Sequence, residues 1–139
     1  MNTSARKSVV IVDDDKFYTK LLTQLLTENL GRPVVAFLNP REALEALPRL
    51  DAGMVVTDYE MPDMNGFEFM TEAKKVVPDA NFILITGHQI TPAMQEKLKA
   101  SSVKSVLSKP FTWRELCDEI VRHWPTASLN PFSVNTTSA

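Results

Sequence analysis

The stretch Met54-Val55-Val56-Thr57-Asp58 limits the folds open to this chain more than any other. An apolar run ends in a carboxylate, and a loop carrying Pro62 and Gly66 follows. A short uninterrupted apolar run between turn formers is the pattern of a strand covered on both faces in a parallel sheet. Such a strand delivers its last residue to the carboxyl edge of the sheet, where open α/β sheets bind ligands. Asp58 is therefore the first candidate site residue.

The remaining chain repeats the pattern. Ser8 to Val12 reads as a strand closed by Asp13-Asp14-Asp15, and a helix starts at Lys16 with Phe17, Leu21, Leu22, Leu25 and Leu26 at helical spacing. Gly31 is placed to end that helix, and Pro33 cannot continue it. Residues 33–38 form a second strand, and Asn39 caps a helix with Pro40 first and Glu42 third, turning Ala43, Leu44 and Leu47 inward. A third helix runs from Gly66 to Val77 before Pro78. Asn81 to Thr86 is the fourth and most apolar strand, and Thr91 caps a weaker helix with Pro92 first and Met94 and Leu98 on one face. Val103 to Ser108 is a fifth strand, and Lys104 and Ser105 within it point to a sheet edge. Thr112-Trp113-Arg114-Glu115 is a capping box, opening a helix with Trp113, Leu116, Cys117, Ile120, Val121 and Trp124 on one stripe.

Five strands alternating with five helices predict a parallel sheet covered on both faces. Without a glycine-rich dinucleotide loop, right-handed crossovers favour a flavodoxin-like (βα)5 three-layer sandwich with strand order 2-1-3-4-5. Residues 8–124 make one domain, with a short flexible lead at 1–7 and an uncharged tail at 125–139 expected to be disordered. The net charge is −2 and there is no long basic run, so no nucleic-acid partner is expected. No apolar run approaches the ~20 residues of a membrane span and no secretory leader precedes the first strand, so the expected compartment is the cytoplasm, with no membrane partner. Cys117 is the only cysteine, which excludes an internal disulfide and makes packing its expected role.

In the 2-1-3 strand order the ends of the first and third strands are neighbours, so Asp13, Asp14 and Asp58 converge. Crowded like charges raise one another's pKa and favour a shared cation. Oxygen ligands alone suit a hard ion such as Mg2+. Asp15 reads instead as a helix cap. Thr86 and Lys109 stand at the ends of the fourth and fifth strands and bring a hydroxyl and an ammonium to the same rim. A nucleophilic carboxylate, a divalent-cation site, a hydroxyl and a lysine suit phosphoryl transfer, with aspartate forming an acyl phosphate.

With these residues in place, the sequence resembles a response-regulator receiver domain of two-component signal transduction over residues 8 to 123. The matching motifs are Val12-Asp13-Asp14, Asp58-x-x-Met61-Pro62-x-x-x-Gly66, Thr86-Gly87 and Lys109-Pro110-Phe111. The resemblance implies phosphorylation of Asp58 by the phosphohistidine of a histidine kinase or histidine phosphotransfer protein. It implies Mg2+ held by Asp14, Asp58 and the Glu60 backbone carbonyl, with Asp13 assisting through water. It also implies a protein that catalyses only its own phosphorylation and dephosphorylation and signals to a downstream protein target.

Two features depart from the family pattern. Val106 stands where receivers usually carry Tyr or Phe, and no output domain follows in this sequence. The expectation is a stand-alone receiver; the alternative is a receiver domain excised from a larger regulator or hybrid histidine kinase. A flavin-phosphate electron carrier needs a Ser/Thr/Gly-rich loop where three aspartates stand. An aspartate-nucleophile phosphohydrolase usually carries a second Asp where this chain has Glu60.

Overall fold

The computed structural model describes residues 7–125, so the expectations for the lead at 1–6 and the tail at 126–139 lie outside the described residues. The elements are β1 (Ser8–Val12), α1 (Lys16–Leu30), β2 (Val34–Phe37), α2 (Pro40–Ala46) with a 3-10 turn at Leu47–Arg49, β3 (Ala52–Asp58), α3 (Gly66–Val76), β4 (Asn81–Thr86), α4 (Pro92–Ala100), β5 (Val103–Ser108) and α5 (Trp113–Arg122). The strands form one parallel sheet in the order β2-β1-β3-β4-β5, as the alternation of elements requires, with β5 at an edge.

Alternate residues of β1, β3 and β4 feed two cores, because side chains along a strand point to opposite faces. Val9, Ile11, Met54, Val56, Ile83 and Ile85 pack with Leu22 and Leu26 of α1 and Leu116 and Ile120 of α5. Val10, Val12, Val55, Phe82 and Leu84 pack with Ala43 and Leu47 on one side and Phe69 and Ala73 of α3 on the other.

The helix starts follow from their capping residues. The Asp15 carboxylate accepts from the Tyr18 N–H, the Asn39 side chain from the Arg41 and Glu42 N–H groups, and the Thr91 hydroxyl from the Met94 N–H. Thr112 and Glu115 form the expected capping box, and Asn65 and Glu68 form a second one that opens α3. Seating on the sheet differs between the helices. α5 buries Leu116, Cys117 and Ile120, whereas α4 buries no side chain fully.

In α1 the structure departs from the apolar stripe read in the sequence. Phe17 is 84% and Leu21 58% exposed, while Thr19, Leu22, Leu26 and Leu30 face the sheet. The leucine pairs 21–22 and 25–26 belong to two adjacent stripes, and the covered one begins at Thr19 rather than Phe17. Away from the strand ends that carry the acids, Trp124 is buried with the Arg32 guanidinium 4.2 Å from its ring centroid. Arg32 donates to the Lys7 carbonyl, and Asn81 donates to the His123 carbonyl just before Trp124. β3 starts at Ala52 rather than Met54, and Gly53 lies against the indole: a Cβ there would come within 2.7 Å of Trp124.

Candidate functional site

The register of the sheet builds the acidic pocket. Val12 pairs with Thr57, so Asp13 and Asp58, each one residue further on, leave adjacent strands side by side. Both are buried, at 3% and 7% exposure, while Asp14 on the loop is exposed. One oxygen from each of the three lies within 4.8 Å of the others. Asp13 Oδ1 accepts from the Asp15 N–H at 2.9 Å, which leaves Oδ2 buried and without a hydrogen-bond partner. A buried acceptor left open beside two further carboxylates is the environment a hard cation stabilises, and an all-oxygen donor set suits Mg2+. The expected site residues Asp13, Asp14 and Asp58 are thus brought together.

Lys109 reaches the same pocket from the end of β5. Its backbone N–H donates to the Thr86 carbonyl at 2.8 Å, which fixes the chain just beyond both strands. The Lys109–Pro110 peptide is cis. Its Nζ lies 3.5 Å from Asp58 Oδ2 and 3.7 Å from Asp13 Oδ2. Burial is the main influence that pushes the Asp58 carboxyl up to about 6; Asp13 adds to the rise and Lys109 opposes it. Burial likewise raises Asp13 above the usual carboxylate range, against the Asp15 N–H and Lys109. Asp58 is therefore still mostly ionised at pH 7, and a second positive charge would complete its ionisation.

Thr86 ends β4 and is fully buried. Its hydroxyl accepts from the His88 N–H at 3.1 Å and donates to the His88 carbonyl at 3.3 Å, so it is turned into the loop after β4. Glu60, two residues after Asp58, does something the sequence did not suggest. Its carboxylate lies 2.6 Å from His88 Nε2, a hydrogen bond that joins the loop after β3 to the loop after β4. Val106 is half-buried in the core on the α3 side of the sheet, paired with Leu84.

Gly66 holds the loop after β3 in place. Its N–H donates to the Tyr59 carbonyl at 2.7 Å, and a Cβ at this position would come within 2.8 Å of the Asp58 carbonyl oxygen. Only glycine lets α3 begin this close to the end of β3. Tyr18 is a second residue the sequence reading passed over. Its ring centroid lies 5.7 Å from Lys109 Nζ, and its only advance signal is its place three residues beyond the Asp15 cap.

The family model for the response regulator receiver domain matches residues 9–121. The chain is 33% identical over 114 residues to the response regulator receiver protein CpdR of Brucella abortus, covering 82% of this chain and 93% of that one. It is 32% identical to the chemotaxis protein CheY of Thermotoga maritima over 76% of this chain and 87% of that one. It is 33% identical to nodulation protein W of Bradyrhizobium diazoefficiens, but spans only 51% of that protein's length against 85% of its own. Among solved structures, a CheY-like response regulator receiver domain protein from Methanospirillum hungatei superposes with a TM-score of 0.76 at 26% identity, covering 84% of this chain and 91% of that one.

Proposed function

The chain belongs to the response regulator receiver domain family, and from that membership we propose that Asp58 accepts a phosphoryl group from the phosphohistidine of a histidine kinase or histidine phosphotransfer protein. The observation that carries this reading is the pairing of a buried carboxylate, Asp58, with an open acceptor, Asp13 Oδ2, under one lysine. An Asp58 oxygen attacks phosphorus, the new O–P bond forms as the N–P bond breaks, and the electron pair leaves with the imidazole. Asp13, Asp14, Asp58 and the Glu60 backbone carbonyl would hold Mg2+, which when bound offsets charge on the transferring oxygens.

The chain's own groups do the rest. Lys109 stands on the Asp58 oxygen and follows the incoming negative charge. The Thr86 hydroxyl, now engaged by the His88 backbone, turns to donate to a phosphoryl oxygen. The protein acts on its own aspartate and on no other substrate. Near the pocket, Phe17 and Leu21 are exposed, and a groove of about 410 Å3 runs between α1 and the start of α5, lined by residues including Leu21, Leu25 and Trp113. This apolar face is where the phosphohistidine donor would dock; the downstream target is a protein reached by contact. Among the described residues no helix is long and apolar enough to cross a membrane.

Acetyl phosphate with Mg2+ tests the reading by intact mass. The protein should gain one phosphoryl group, and Asp58→Asn should gain none. Labelling that persists in the Asn variant would move the acceptor elsewhere, and continuous turnover of donor without a stable adduct would make the protein a hydrolase. The mass of the protein isolated from its source distinguishes a free-standing receiver from a module of a longer regulator.

A further inference from the structure

We propose that Tyr18 is a positioning residue for the acceptor chemistry, its ring holding the Lys109 ammonium in place between Asp13 and Asp58. The proposal rests on Asp58 being the phosphoryl acceptor. The lysine needs a third hold. At 3.5 and 3.7 Å its Nζ is an ion-pair partner of both acids but lies beyond ordinary hydrogen-bond length. Its side chain is also 36% exposed and sits on a flexible four-carbon stem. Carboxylates at those distances attract the ammonium without fixing it.

The Tyr18 ring supplies that hold. Its centroid is 5.7 Å from Nζ, inside the roughly 6 Å range in which a cation is drawn to an aromatic face. The Tyr18 main chain and the Tyr18 ring are each fixed by one contact. The Tyr18 N–H donates to the Asp15 side chain at 3.0 Å, and the ring meets Phe111 edge-on, with centroids 6.1 Å apart and planes at 81°. Phe111 is two residues beyond Lys109 and Asp15 two beyond Asp13, so the segment that carries Lys109 meets the ring, and the loop that carries Asp13 fixes the main chain from which the ring projects. A cavity of about 450 Å3 opens here, lined by Asp15, Tyr18, Lys109, Pro110 and Phe111. Burial, with the charges of Asp13, Asp58 and Asp15, pushes the Tyr18 phenol up to about 12, which keeps the ring neutral and places it in the field of the acids. The loop after β3 plays no part in these contacts. Tyr18 thus serves the cationic side of the pocket.

Tyr18→Phe and Tyr18→Leu in the full chain test this. The Phe variant keeps the ring and should match the parent in its rate of phosphoryl uptake from acetyl phosphate. The Leu variant should slow about threefold, the size expected for one partly exposed cation–π contact. An independent readout needs no phosphoryl donor: the Lys109 ε-methylene protons should be shifted upfield by the ring in the parent and the Phe variant, and return to ordinary values in the Leu variant. Equal slowing in both variants would assign the effect to the hydroxyl and overturn the proposal. So would Lys109 resonances that ignore loss of the ring. Should the parent take up no phosphoryl at all, the acceptor reading fails, while the methylene shift still decides whether Tyr18 holds Lys109.

Discussion

Arg32, 5% exposed, is a buried charge beside Trp124; Asp13 and Asp58, at 3% and 7%, are buried charges at the carboxyl ends of the strands. Burial acts on both groups in the direction of the neutral form, lowering the Arg32 guanidinium and raising the Asp58 carboxyl to about 6. What differs is the company. Arg32 lies over the Trp124 ring and donates to the Lys7 carbonyl. Asp13 keeps an oxygen with no hydrogen-bond partner, and its near neighbours include two more carboxylates. One region ties its polar groups into the fold, and the other leaves an acceptor open among clustered acids. The contrast predicts that residues of the first bear on stability and, on the proposed function, that residues of the second bear on phosphoryl uptake.

The sharpest way to break this contrast is Trp124→Ala. Removing a buried indole should cost about 3–5 kcal/mol in urea unfolding, while phosphoryl uptake by the remaining folded protein stays near that of the parent. A cost under about 1 kcal/mol would mean that the Arg32–Trp124 region carries no special share of stability. Mg2+ probes the opposite region. On the proposed cation site, Mg2+ at about 100 times its dissociation constant should stabilise the parent by about 3 kcal/mol, as a ligand of the native state alone does. Trp124→Ala should retain that increment and Asp14→Ala should lose it while remaining folded; an undiminished increment in Asp14→Ala would place the cation elsewhere.

Smaller in size is the pH response. With chelator present, a carboxyl whose folded pKa is raised binds its proton more tightly in the native state, so its contribution to stability falls as pH rises through the interval from 3.8 to about 6. Between pH 7 and pH 5 the parent should therefore gain about 1 kcal/mol relative to Asp58→Asn. Parallel stability profiles for the two proteins would show that Asp58 is not electrostatically strained. The least energetic test follows the signal outward. Val106 is β-branched with few rotamers, so the phosphoryl mimic beryllofluoride should move amide resonances of Glu60 to Asn65 and Gly87 to Thr91 far more than those of α5. Large shifts through Val106 into α5 would extend the responsive region to the far side of β5.

The fold and the convergence of the acids with Lys109 were legible because both follow local rules. Asp13, Asp58, Thr86 and Lys109 each stand at or just past the end of a strand, and the alternation of strands and helices fixes which ends are neighbours. Asp15, Asn39, Thr91 and Thr112 announced their helices by capping chemistry. The contacts between segments were not legible. Glu60 meeting His88 depends on how two loops fold over the rim, and Tyr18 meeting Lys109 on how the first turn of α1 faces the loop after β5, which no periodicity encodes. The exposure of Phe17 and Leu21 escaped the reading because α1 carries enough apolar residues for two stripes, and only its tilt on the sheet chooses one. The early start of β3 escaped it too, since Gly53 weakens a strand in sequence terms while making room for Trp124 in space.

The pairing of Val12 with Thr57 has a mechanical consequence. Asp58 ends β3 and Asp13 follows β1 by one residue, so the ladder that joins the two strands sets the spacing of their main chains. Asp14 stands one residue further out on the loop after β1 and is exposed. The pocket resembles a caliper with two set jaws and one freer finger, and a difference in ionic radius would fall first on that finger. On the proposed cation site, a cation with longer bonds than Mg2+, such as Ca2+ at roughly 2.3–2.6 Å against 2.0–2.1 Å, would displace Asp14 before Asp58.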